Sequence, residues 1–589
     1  MRSRLRPGLL VGMLLPALVC IGAAHDPGAD ALTVPRGQSE AAADAAKTII
    51  DLQRFRRESS VPVQGAGGRR GTATLIELNP AVNAWYLLRL DWGDAPVTFH
   101  LENPEPRSQH IELAGAGGLI LRRLSGGTDV FCRLWSGTPS ALDQAIRAGL
   151  PYAPLCEGRL YLRNPVAGRF TGLELVTDFL RTYVWGGEKI IGFVRQQFFR
   201  DAYLEKGEAG DARAAVPPEN ADAPRPATLN TAFRREAVVP TGLAIDLGAR
   251  PGGLVLGQWY PVNGLAGAFA SVIQPKAIAG EIMSGHRHLV SALDAVEMDA
   301  LAILVAFDLT AYEVGFALGT AHPSIGWSSH ALPEVRTSNP RGPDGIETIA
   351  PLVANGMVSP AAVARTVATF TGGFKRDHGA FRYGELARMN RGSHYGFIEQ
   401  GTVFARLVPG LATMYVLDSG AVRMKTWSGD DDAFVSKVKH ARQNGVPLIA
   451  HDESTGISTP GTLIARWGPG NWSGSVEGKL RSLRAGACLV ETSSTRFLVY
   501  GYFSSATPSA MARVFQAYGC RTAMHLDMNA LEHTYLALYV RHGTEVSVQH
   551  LNEGMSQLDK RAGGRMVPRF LGFPDNRDFF YIVRREQPR

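Results

Sequence analysis

The stretch RFLVYGYFSSATPSAMARVFQAYGCRTAMHLDMNALEHT, residues 496–534, sets the expected fold. Phe497–Phe503 is a run of large apolar and aromatic residues, the pattern of a buried strand. Thr507-Pro508 then supplies a capping hydroxyl and a proline at the first helical position, predicting a helix that runs to Tyr518 and stops at Gly519. Thr522–Leu526 reads as the next strand. A strand, helix, strand order puts Asp527 at the carboxyl end of a strand, where α/β proteins tend to build their sites. Directly behind it, Asp527, Asn529, Glu532 and His533 fall within seven positions. Read as structure alone, Asp527 is a helix cap and Glu532 a surface residue.

Outward from this segment, Leu301–Leu309 is a second buried strand and Ser359-Pro360 opens a short helix. Asp418-Ser419-Gly420 links Thr413–Val416 to Val422–Trp427 as a hairpin. Asp430–Asn444 carries acids first, Lys437, Lys439 and Arg442 later, and Gly445 behind, which predicts a helix aligned with its dipole. Toward the N-terminus, Ala73–Leu78, Trp85–Leu90 and Val97–Leu101 are strands separated by Asn-Pro and Gly-Asp turns. Gly172–Tyr203 turns to helical spacing. Glu205–Thr228 is Ala, Pro, Gly, Glu and Asp with hardly a large apolar residue, and reads as a linker. The expected organisation is α+β: a β-rich domain at 25–204 ending in a helix, a linker at 205–230, and a mixed α/β domain at 231–589.

Residues 1–24 have the order of a secretory signal: Arg2, Arg4 and Arg6, an apolar run from Leu9 to Ile21, then Gly22-Ala23-Ala24, with cleavage expected after Ala24. Pro16 and the shortness of the run argue against an anchor, and Val19 before Cys20 argues against a lipoprotein. The expected location is therefore the periplasm or the exterior, with no membrane span after signal removal. Four further cysteines are an even number in a compartment that permits disulfides. Cys132 with Cys156 and Cys488 with Cys520 is the economical pairing, among three connectivities and the alternative of four thiols. The formal net charge of +7 includes three leader arginines, and no basic run interleaved with aromatics suggests nucleic acid.

Two other clusters join glycines to polar side chains. Thr371-Gly372-Gly373-Phe374-Lys375-Arg376, followed by His378 and by Gly392-Ser393-His394-Tyr395-Gly396, can receive a phosphate or sugar, or can be a tight turn with solvated cations. Gly470-Asn471-Trp472-Ser473-Gly474, with Arg481 and Arg484 beyond it, can be a sugar platform or a β-turn with a core tryptophan. His286-Arg287-His288 is too little to assign a metal, and no sequence feature calls for a cofactor. There is no Gly-x-Ser-x-Gly elbow, His-Glu-x-x-His, P-loop or dinucleotide fingerprint.

The order of these clusters resembles the phosphodiester glycosidase family. Thr371-Gly372-Gly373-Phe374 stands where that family has Asn-Gly-Gly-Phe, Arg481 to Arg484 where it has an arginine-containing stretch, and Leu526-Asp527 where it has Leu-Asp-Gly-Gly-Gly-Ser. The resemblance covers about Leu243 to the C-terminus; Thr371 replaces asparagine, and Met528-Asn529-Ala530 replace glycines. It implies hydrolysis of a sugar-1-phosphodiester without a cofactor. Lys375, Arg376 and Arg481 would clamp phosphate, Gly372 and Gly373 would offer backbone donors, and Asp527 or Glu532 would activate water or stabilise the anomeric charge. His394 and His533 would be reserve acids or bases, and Asn529 would offer a side-chain amide to substrate in place of the glycines. Two other readings compete: a glycan-binding envelope protein without chemistry, and an ordinary glycosidase pairing Asp527 with Glu399.

Overall fold

The computed structural model describes residues 46–586 apart from 66–67, 125, 173, 176–200, 212, 215, 218–219, 328–335, 337–340, 377–394, 466–480 and 544. The expected signal peptide, most of the expected helix at 172–203, and His378, His394, Asn471 and Trp472 lie outside these residues.

Strand Trp85–Asp91 shows how the N-terminal region is organised. Trp85 and Leu87 point into the large core of the chain, while Tyr86, Leu88 and Leu90 point into a second, smaller core. Successive side chains face opposite sides of a strand, so a near-continuous apolar run is what a sheet buried on both faces requires. That sheet has six antiparallel strands in the order Arg57–Gln64, Arg70–Glu77, Trp85–Asp91, Val97–Glu102, Leu160–Arg163, Tyr152–Leu155. Its outer face is covered by a three-stranded sheet, Gln109–Ala114, Gly118–Arg123 and Val130–Arg133, and by helix Ala141–Ala148. Ser140 caps that helix through a reciprocal box with Asp143, and Gly149 closes it in the left-handed conformation. A disulfide joins Cys132 to Cys156, and a second joins Cys488 to Cys520. Both are the pairs the spacing favoured, and both suit an oxidising, extracytoplasmic compartment.

The decisive segment folds as a strand Arg496–Ala506, a helix Pro508–Ala517 and a strand Thr522–Met528. Thr507 Oγ1 accepts from the amide of Ala510, so the expected cap is present. The two strands run the same way but do not touch. Ser482–Glu491 lies between them and pairs antiparallel with both, Gly486 standing opposite Gly501 on one side and His525 on the other. The paired glycines make a shallow place for the helix: a Cβ on Gly486 would sit 2.8 Å from Met511 Cε and 3.0 Å from Phe515, and one on Gly501 would sit 3.2 Å from Phe515. The result is an eight-stranded antiparallel sheet with a helix packed on it, an α+β arrangement in which strand content dominates.

Two five-stranded antiparallel sheets complete the C-terminal body. One runs Tyr312–Ala317, Phe579–Arg584, Thr366–Thr371, Leu536–His542, Glu545–His550; the other runs Thr402–Ala405, Phe397–Glu399, Val438–Gln443, Ala412–Leu417, Val422–Thr426. Here the structure corrects the expected helix at Asp430–Asn444. Gly429–Lys437 is 3-10 helix, and Val438–Gln443 is the central strand of its sheet. Its polar residues His440, Arg442 and Gln443 are all buried, satisfied by partners distant in sequence that a charge pattern does not reveal. Segment 205–230 is held to the C-terminal body: the Glu205 carbonyl accepts from Leu301 (2.7 Å), the Arg225 carbonyl from Trp259 Nε1 (3.0 Å), and Thr228 donates to Ala517 (2.7 Å). No helix among the described residues is long and apolar enough to cross a membrane.

Candidate functional site

Four stretches of chain meet at the end of strand Thr522–Met528. The first is the loop that follows it. Asn529 has φ +80°, a left-handed conformation that glycine favours and asparagine tolerates, so the backbone keeps the course a glycine would give it. Met528 and Ala530 are buried, whereas the carboxylate of Asp527 points across to a second stretch, Asp575-Asn576-Arg577-Asp578, which leads into strand Phe579–Arg584. Arg577 Nη1 donates to Asp527 Oδ2 at 2.7 Å and Arg577 Nε to Glu174 Oε1 at 2.6 Å. Asp575 accepts from the Arg577 amide and from both ends of the Arg569 guanidinium, and Arg569 also donates to the Glu532 carbonyl. The site is thus braced from below by a bidentate ion pair.

Glu174 comes from the third stretch. Besides Arg577 it accepts from the Thr171 amide and from Asn576 Nδ2 at 3.2 Å. Burial alone would raise its pKa, but the Arg577 guanidinium foremost holds the carboxyl well below the usual carboxylate range. Glu532 is likewise buried, a cost outweighed by His533 and Arg577, and its pKa is lowered too. His533 Nδ1 lies 2.7 Å from the Met528 carbonyl, and its Nε2 lies 3.5 Å from Glu532 Oε1. The ligating atoms of Glu174, Glu532 and His533 all lie within 4.8 Å of one another.

The fourth stretch is Thr371-Gly372-Gly373-Phe374. Thr371 Oγ1 donates to the His533 carbonyl at 2.5 Å, and the Gly372 amide donates to the Asp578 carbonyl at 2.9 Å. A Cβ on Gly372 would fall 2.3 Å from Asp578 Oδ2, so only glycine allows this approach. Asn444 ties the same turn to the central strand: its Oδ1 accepts from the Phe374 amide, and its Nδ2 donates to the carbonyls of His525 and Leu526. Arg442 donates to Asp578 Oδ2 and to the Phe374 carbonyl, and His322 contacts the other Asp578 oxygen. Burial opposes ionisation of Asp578, but Arg442 and His322 pull its pKa down to about 2.

Of the residues expected from sequence, the structure therefore gathers Asp527, Asn529, Glu532, His533, Gly372 and Gly373. Arg376 is buried and paired with Asp344 at 3.1 Å, and Lys375 follows Phe374 at the rim of the same turn. Arg481 pairs with Asp201 (2.8 Å) and with Asp294, and Asp201 also accepts from Ser505. The nearer arginine of that stretch is Arg484, opposite Met528 in the sheet and 3.1 Å from His525 Nε2. Glu399 belongs to another buried cluster, with Arg163 and Glu102, and burial raises its pKa to about 7.

Sequence reasoning missed Glu174, Arg442, Asn444, Arg577 and Asp578. For the last two a signal existed: Asp575-Asn576-Arg577-Asp578 is a run of four polar residues directly before the apolar strand Phe579–Arg584, and all four are at most 3% exposed. Polar residues buried in a row need partners, and so mark a network. Glu174 sat inside an apolar periodicity that gave it no distinction.

No protein-family profile matches the sequence, and no curated protein does. Among solved structures, one from Burkholderia pseudomallei, described as an exported protein, aligns over 48% of this chain and 74% of its own at 9% identity, with a TM-score of 0.18. That likeness is too slight to bear on fold or function.

Proposed function

We propose that the chain is an exported hydrolase of the phosphodiester glycosidase type, cleaving a sugar-1-phosphodiester in an envelope or extracellular glycan after removal of a signal peptide at Ala24. The observation that carries the reading is the meeting of Asp527, Glu532 and Arg577 beside the Gly372-Gly373 turn, at the end of the strand the sequence singled out.

A phosphodiester is a weakly basic leaving group, so the chemistry asks for stabilisation of departing negative charge more than for a strong acid. Arg577 suits that part. Two of its three guanidinium nitrogens are held by Asp527 and Glu174, which fix the plane, and Nη2 has no hydrogen-bond partner among the described residues. The Gly372 N–H is already engaged by the Asp578 carbonyl, and Gly373 lies against Asn444 and Arg442. Glu532, one oxygen of which has no hydrogen-bond partner, activates water. Asp527 faces the positive charge that develops at the anomeric carbon. Arg577 takes the clamp role ahead of Arg376, whose Nη2 pairs with Asp344, and of Arg481, which is held by Asp201 and Asp294.

A second reading, glycan binding without turnover, is favoured by Met528 and Ala530, which fill space where the resembling family has glycines. Residues 25–589, incubated with a methyl diester of a sugar 1-phosphate, separate the two by release of reducing sugar. The hydrolase reading expects release, reduced by roughly 10²–10⁴-fold in Glu532→Gln. Binding with no release supports the second reading. Cleavage of a neutral aryl glycoside in preference to the diester supports an ordinary glycosidase.

A further inference from the structure

The loop after Asp527 sets two buried atoms face to face, neither with a hydrogen-bond partner. A carbonyl oxygen only accepts, so His533 Nδ1 must donate to Met528, and a neutral ring then carries its lone pair on Nε2. That lone pair faces Glu532 Oε1 at 3.5 Å. Both atoms are shielded from solvent and neither has a hydrogen-bond partner; Glu532 as a residue is only 7% exposed. Two electron-rich atoms cannot face each other in a buried site without positive charge between them.

The surrounding charges show how much is needed. Arg569 is matched by Asp575 and Arg442 by Asp578, while the carboxylates of Asp527 and Glu174 share Arg577 and that of Glu532 faces His533. A proton on His533 would remove one of the two surplus negative charges, whereas a divalent ion removes both. The geometry agrees. Two atoms tetrahedrally disposed about 2.1 Å from one ion lie roughly 3.4 Å apart, close to the observed 3.5 Å between Glu532 Oε1 and His533 Nε2. Glu174 completes the set within 4.8 Å, and its Oε1, which accepts one bond from Arg577, keeps a second lone pair. The supporting contacts are those that metal ligands use: the histidine donates its other N–H to a backbone carbonyl, and the carboxylate is fixed by Arg577, Asn576 and Thr171.

We infer that Glu174, Glu532 and His533 bind one divalent transition-metal ion. Two carboxylate oxygens and one imidazole nitrogen suit Mn²⁺ or Zn²⁺, and are too few and too nitrogenous for Ca²⁺. The inference does not rest on the hydrolase reading, since a binding protein would hold the ion equally well.

Residues 25–589 carrying His286→Ala and His288→Ala, to remove a surface histidine pair, are stripped with EDTA and titrated with Mn²⁺, the free ion being followed by electron paramagnetic resonance. The expected result is one ion per chain, with affinity falling at least about tenfold in Glu532→Gln and in His533→Gln. An undiminished free-ion signal overturns the inference, as does unchanged binding in both variants. Should the variants fail to fold by circular dichroism, the parent's visible spectrum with Co²⁺ decides: nitrogen-shifted ligand-field bands that Zn²⁺ abolishes support the site, and the spectrum of the aqueous ion refutes it.

Discussion

Two buried ionic clusters in this chain are built from the same residue types and solved differently. At the seam between the six-stranded sheet and the C-terminal body, Arg163 pairs with Glu102 at 2.5 Å, donates to the Val353 carbonyl and to Tyr152, and lies 4.2 Å over the Trp85 ring. Glu102 also receives Trp85 Nε1 and Ser359 Oγ, and Glu399 receives the Leu318 amide. Burial raises the pKa of Glu399 to about 7, so around neutrality this cluster approaches one charge of each sign. At the Asp527 end the carboxylates of Glu174 and Glu532 are instead held ionised, and Glu532, His533 and Asn529 each present a side-chain atom with no partner. The seam cluster, in which His100 Nε2 alone of these side chains has no partner, fastens two parts of the molecule. One left open and unbalanced is arranged for something the chain does not itself contain.

This contrast can be broken at the seam first. Arg163→Met leaves Glu102 and Glu399 buried without their cation, and we expect a loss of about 3–5 kcal/mol in urea unfolding; a loss under 1 kcal/mol would mean the seam is not a fastening. The next effect is in pH. Glu399 has a folded-state pKa raised above its unfolded value of 4.5, so the folded state binds the proton more tightly and stability falls as pH rises from about 4.5 to about 7. Glu399→Gln keeps an acceptor for Leu318, should remove that slope, and should gain roughly 2–3 kcal/mol at pH 8 relative to the parent. Ser359→Ala takes a donor from Glu102 and should cost about 1–2 kcal/mol. Smallest, and opposite in sign, Glu532→Gln relieves surplus charge at the open cluster. Thermal unfolding in EDTA should show it neutral or up to about 1 kcal/mol more stable than the parent.

How far the sequence led follows from the range over which each signal acts. The strand, helix, strand at 496–528 was legible because its apolar runs, its Thr507 cap and its closing Gly519 are local, and the sheet rewards the same pattern. Residues 430–444 misled because their charge order fits a helix dipole, while what decides them is Arg442 reaching Asp578, 136 residues away. The site divided along the same line. Asp527, Glu532 and His533 cluster in sequence and were visible; Arg577 and Glu174 complete the arrangement across 50 and 403 residues. Spacing along a chain carries no record of such meetings, although four buried polar residues before an apolar strand offered a trace of one.

We propose that the open cluster is a catalytic centre for sugar-1-phosphodiesters. Its most direct test measures turnover and binding of one such diester by residues 25–589 and by Asp527→Asn. The account predicts turnover in the parent, and in the variant a loss of at least about 10²-fold in kcat with binding retained. Absence of turnover in the parent under conditions where it binds the diester, or equal turnover in the two proteins, would contradict it.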